Sequence, residues 1–258
     1  MDAVADSDGR GLKIWNVVLS TALRIPGARL HRASFLRAAL GPHTSAEMLE
    51  QVVNSTPAKA GVPRDTIRRA ALASIRWHRA GVSSTSLVVG IPGGWWVLGS
   101  VPADFAQYFW HVIVLLQKLA YLHGWPELFQ DDEQIDDETK GVLTLFVGVM
   151  LGADRANDGL GRLAAAIGTQ VAKRLPRASL TKYAVYQVAK QVAGWVGVSL
   201  TKKKFAEVVG RVVPLLGGVI AGTLTWTLFG AGAKRLHAHL EGLPLAGNGP
   251  TETFATAS

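Results

Sequence analysis

"SLVVGIPGGWWVLGSVPADFAQYFWHVIVLL", residues 86–116, carries a single formal charge, on Asp104. The run is too apolar for an ordinary solvated surface. Gly90, Pro92, Gly93, Gly94 and Gly99 interrupt it too often for one continuous helix. Three readings fit: the core of a soluble domain, a hairpin that inserts into a membrane, or the wall of a lipid pocket. From Ser100 onward helical signals return. Ser100 can cap a helix over 101–123, with Pro102 and Asp104 in its first turn and Gly124 as its stop.

Outward from this stretch the chain reads as helix nearly throughout. Toward the N-terminus the spacing predicts helices over 13–23, 28–40 and 46–53, the last capped by Ser45. Pro63 then opens an amphipathic helix that Gly81 should end. That helix sets Ile67, Ala70, Ala71, Ile75 and Trp77 on an apolar side and five arginines opposite. Toward the C-terminus, helices are expected over 137–151, within 154–175 and 179–197, in the short Thr201-capped segment "TKKKFAEVVGR", and over 212–240. No stretch alternates with period two between turn signals. The expected fold class is therefore all-α: a single helical bundle over 13–240 with Gly-rich apolar helices or a hairpin at its centre. Residues 1–12 are expected to be flexible and 241–258 to form a disordered tail.

Residues 212–233 are twenty-two in a row without a charge, long enough to cross a hydrocarbon core of about 30 Å. Gly218 and Gly222 give the small-x-x-x-small spacing that lets helices approach closely. A helix with such small side chains is equally what the centre of a soluble bundle needs, so both readings stand. Residues 87–101 are too short and too broken to span alone, but they can enter and return, with Trp95 and Trp96 at the interfacial level.

The net charge of +8 is segregated. Residues 1–80 hold twelve Lys or Arg against six acids, residues 171–211 hold nine against Glu207, and residues 81–130 carry only Asp104, Lys118 and Glu127. Basic zones flanking an apolar zone suit an anionic lipid surface. Nucleic-acid binding would instead interleave bases with exposed aromatics, so no nucleic-acid partner is expected. Arg68, Arg69, Arg76 and Arg79 on one helix, and Lys202, Lys203 and Lys204 on another, are the candidate headgroup contacts. The N-terminal apolar run lacks a basic n-region and a small-x-small cleavage site, so no signal peptide is expected, and the cytoplasmic side of the membrane is the expected location.

Chemistry is sparse. There is no cysteine, which excludes disulfides and thiolate metal sites. Gly159, Gly161 and Ala164 fit a G-x-G-x-x-A pattern, but no strand precedes them and no acid follows before Glu207, so the match is a coincidence of helix glycines. The seven histidines show no metal-ligand spacing, and neither metal nor cofactor is expected. One constellation remains. Asp104, Tyr108, His111, Leu115 and Lys118 form a narrow stripe on the 101–123 helix, where low-dielectric surroundings would shift pKa values. Asp104, Tyr108 and His111 are thus the candidates for a polar interior site; the plainer reading is a helix N-terminus and bonds across the bundle.

The stretch Pro92-Gly93-Gly94, the helix start Pro102-Ala103-Asp104, the helix end from Tyr121 to Gly124, and the later run from Pro214 to Gly218 together resemble the EcsC family of bacterial proteins. The resemblance covers about residues 15–240. It implies a membrane-linked or lipid-handling role, since the family is named for a protein that accompanies an ABC transporter. It supplies no catalytic residues to carry over. The expected function is lipid contact at a membrane in transport or envelope processes. The alternatives are a soluble helical module serving a protein partner such as a transporter, and an enzyme that uses Asp104 and His111 on a lipid-like substrate.

Overall fold

The computed structural model describes residues 2–88, 103–129, 135–168, 184–199 and 217–247, and among these every long element is an α-helix. In chain order they are α1 (Asp2–Arg24), α2 (Arg32–Leu40), α3 (Ala46–Asn54), α4 (Arg64–Val88), α5 (Ala103–Leu122), α6 (Asp137–Leu151), α7 (Asp154–Gly168), α8 (Ala184–Ser199) and α9 (Gly217–Glu241). The all-α class follows directly.

The ends of these helices have local causes. Ser45 caps α3 by accepting from the Met48 N–H at 3.2 Å. Asp136 caps α6 by accepting from the Thr139 N–H at 2.7 Å, and Asp137 and Glu138 add negative charge to its first turn. Gly152, at φ +88°, closes α6 in the left-handed conformation that disfavours any side chain. Gly124, at φ +86°, turns the chain after α5, as the sequence predicts.

Two helices are buried on nearly every side. In α5 these are Phe109, residues 112–116 and residues 119–122; in α6 they are residues 142–150. A helix that is apolar all round needs neighbours all round. On one flank α4 and α9 pack against each other and against α5, with α9 also on α6. On the other, α1 packs on α5 and α8, and Trp15 Nε1 donates to Thr144 Oγ1 of α6 at 2.8 Å. Helix α7 lies over α6 and α8. At the C-terminal end of α5, the buried Arg32 donates to the carbonyls of Trp125, Val53, Val52 and Ser55, at 2.6 to 3.3 Å, and so closes the end of α3.

Five expectations need correcting. Helix α2, expected from residue 28, begins at Arg32. Helix α1 begins at Asp2 rather than at residue 13. Gly81 does not end α4, which runs to Val88; the glycine lies instead against the His111 ring, where a Cβ would collide. Trp77 is 58% exposed rather than part of the apolar side of α4. The C-terminal segment stays packed through Gly247: Leu243 is buried, Pro244–Ala246 forms a 3-10 turn, and Leu245 packs beside α7 and Gly124.

Candidate functional site

The polar and aromatic residues singled out by the sequence meet where α4, α5 and α9 pack. Their relative directions follow from contacts. Arg79 of α4 reaches Trp226 of α9, while Arg68 faces His237, so these two helices run antiparallel. Tyr108 meets Phe229 and His123 meets His237, so α5 runs parallel to α9. The C-terminal end of α4 and the N-terminal ends of α5 and α9 therefore lie together. Residues 89–102, which join α4 to α5, and residue 216, which precedes α9, lie outside the described residues.

Here α4 buries Ile67, Ala71, Ile75, His78 and Val82, a repeat of three to four residues that faces the bundle. Its borders are wet. Trp77 projects on the α5 side, where Lys118 Nζ lies 5.0 Å from its ring centroid and 6.0 Å from that of Phe35. On the α9 side the Arg79 guanidinium covers the Trp226 ring, and Trp226 is 44% exposed. Arg68, Arg69 and Arg76 are exposed. Trp110 completes the rim, its Nε1 donating to the Pro26 carbonyl at 3.1 Å. Tryptophan and arginine or lysine are residue types that anchor proteins at a bilayer interface.

Inside this rim the stripe on α5 contacts its neighbours residue by residue. His111 Nδ1 lies 3.1 Å from His78 Nδ1, so one ring donates and the other accepts. His78 is fully buried, and its pKa is pushed down to about 2 by burial, by the Lys118 charge and by His111. Burial and Lys118 lower His111 as well. Both rings are therefore neutral at pH 7. Burial pushes the Tyr108 hydroxyl up to about 12, and its ring packs edge-on to Phe109 and Phe229. Asp104 falls in the first turn of α5, with its side chain outside the described residues. His111 and Tyr108 thus make helix-to-helix contacts, His111 with His78 of α4 and Tyr108 with Phe229 of α9.

A second histidine pair lies just past the C-terminal end of α5. His123 Nε2 is 2.9 Å from His237 Nδ1 of α9, with the rings stacked at 5.1 Å. Burial and His237 lower His123 to about 3; burial also lowers His237, against the pull of Glu241. Sequence spacing had no means of finding either pair, since the partners are 33 and 114 residues apart.

The remaining candidates divide. Trp95, Trp96, Lys202, Lys203 and Lys204 lie outside the described residues. Gly218 and Gly222 belong to the first turns of α9, whose side-chain surroundings are likewise outside them. Gly159 is a packing glycine in the middle of α7, against Leu145 and Val188. Among the described residues no group of three or more His, Cys, Asp or Glu is placed to hold a metal ion, and no helix is long and apolar enough to cross a membrane. Compared with protein-family models, with curated proteins and with solved structures, the chain has no match in any of the three.

Proposed function

We propose that this protein contacts anionic membrane lipid through the face of the bundle where α4, α5 and α9 pack, acting at the cytoplasmic side in a transport or envelope process, as its EcsC-like sequence features suggest. The observation that carries this reading is the exposed Trp77 and Trp226, beside Arg76 and Arg79 at mid-length of α4, together with the uncharged residues 89–101 that follow α4 in the chain. Tryptophan supplies apolar area with a polar N–H and arginine supplies headgroup charge, so neither has to be fully desolvated. Insertion of apolar sequence beside a basic rim is the combination stable anchoring requires, because charge alone binds weakly.

The test is co-sedimentation of the full chain with phosphatidylcholine vesicles, with and without phosphatidylserine. Binding that rises with phosphatidylserine, falls with salt and resists an alkaline carbonate wash supports charge-guided insertion. A chain that stays in the supernatant with both vesicle types overturns the reading and directs attention to a protein partner.

A further inference from the structure

Four of the seven histidines are spent on two buried ring-to-ring bonds, and both bonds involve α5. His111 ties α5 to α4 through His78, and His123 ties it to α9 through His237. His111 of α5 and His123, the residue immediately after the helix, are twelve residues apart, about 18 Å along the helix axis. We propose that these pairs form an acid-sensitive latch: uptake of protons breaks both bonds and releases α5 from α4 and α9.

The chemistry of the pairs supports this directly. Each bond needs one donor and one acceptor nitrogen, and a neutral imidazole supplies one of each. A second proton on either pair leaves two donors facing each other in a site with little water. The groups around them sharpen the effect. Lys118 of α5 faces the first pair with positive charge, and the Trp77 and Trp110 rings close its sides. Arg68 of α4 faces the second pair with positive charge, opposed by Glu241 of α9 itself. Buried asparagine or glutamine would make the same bonds without titrating, whereas histidine makes them conditional on pH.

The sign follows from the lowered values. His78 falls to about 2 and His123 to about 3 in the folded protein, below the unfolded value of about 6.5. Their contribution is whole above about pH 6.5 and is lost as pH falls below it. Each histidine that gains a proton only on opening raises the opening constant roughly 10-fold per pH unit, so His78 and His123 together give roughly 100-fold. What opens is the most apolar described part of the fold, residues 112–116 and 119–122.

The measurement is hydrogen exchange of peptides over residues 107–122 in the lipid-free full chain, from about pH 7.5 to about pH 4.5, corrected for intrinsic rates. The comparison is a variant carrying His78→Asn, His111→Asn, His123→Gln and His237→Asn, in which Asn replaces an Nδ1 contact and Gln an Nε2 contact. Protection in the wild type should fall by up to 100-fold per pH unit below about 6.5, while the variant keeps a flat profile. Equal profiles in both, or full wild-type protection down to about pH 4.5, would overturn the latch. Should the variant not fold, the wild-type imidazole NMR signals decide: rings that stay neutral until α5 loses protection support the latch. Rings that titrate near 6.5 while α5 stays protected refute it. Because no lipid is present, the result is independent of the membrane assignment.

Discussion

Arg79 of α4 lies flat on Trp226 of α9: its Cζ is 3.1 Å from the ring centroid, and its Nε donates to the Trp226 carbonyl at 2.8 Å. One side chain thus joins the two helices by a ring contact and a backbone bond, beside Gly230. A Cβ at Gly230 would come within 2.6 Å of Arg79 Nε. Arg79 was read from the sequence as a headgroup ligand, but here its first partner is within the fold. Arg79→Lys keeps the charge and loses the planar fork, and should lower stability by about 1 kcal/mol in urea unfolding. Gly230→Ala should displace the guanidinium and alter Trp226 fluorescence.

Arg32 presents the opposite case, a charge taken inside to satisfy carbonyls. Burial lowers its pKa, Glu127 opposes that, and the Glu127 carboxylate accepts the Arg32 backbone N–H at 2.9 Å. Arg32→Met would strand the last carbonyls of α3 and leave Glu127 beside Tyr121 without its cation. A loss of roughly 3 kcal/mol is expected in chemical denaturation, with α3 the first segment to exchange hydrogen.

Close helix approach gives a third expectation. A Cβ at Gly148 of α6 would lie 2.5 Å from Val192 Cγ1 and 2.7 Å from Ala156 Cβ, so α7 and α8 would both have to move. Gly148→Ala should destabilise by about 1–3 kcal/mol despite its better helix propensity. Gly161→Ala, where nothing lies within 4 Å, should be neutral or stabilising. Thermal melts of the two variants side by side separate packing from propensity.

Lys118→Met keeps the apolar stem between Trp77 and Phe35 and removes the charge that helps hold His78 and His111 down. Their folded-state values should rise toward the unfolded one, shrinking the acid-sensitive term. The midpoint of acid unfolding should then move to lower pH, by roughly 0.5 unit. A shift to higher pH would mean that Lys118 stabilises the pair rather than opposing its protonation.

For membrane contact, the paired substitution Trp77→Ala and Trp226→Ala should weaken vesicle binding with or without phosphatidylserine. Arg76→Ala should weaken only the phosphatidylserine-dependent part, by about fivefold at low salt. Circular dichroism checks that both variants retain the helical fold.

The helices themselves were legible because their causes are local. Ser45 marks a start, Gly124 marks a stop, and the period of α4 places Ile67, Ala71 and Ile75 on one side without any knowledge of their partners. Local rules failed where a neighbour intervenes. Gly81 reads as a stop, yet it continues the helix because its missing side chain makes room for His111. Trp77 reads as core, yet it lies at the border of the buried arc, where Lys118 keeps it company at the surface.

The candidate stripe on α5 was partly visible, since a 3.6-residue period aligns Tyr108, His111 and Lys118. What each faces was not. Composition and periodicity by themselves determined an all-α chain, the course of its helices and the limits of α3, α5 and α6 to within two residues, and a segregation of charge from apolar sequence. Only the tertiary structure decided that His111 meets His78, that His123 meets His237, and that the ends of α4, α5 and α9 converge. The physical reason is that helix formation is governed by contacts three and four residues apart. The choice of partner helix depends on how whole faces interdigitate across 33 or 114 residues of chain, and no local spacing encodes that.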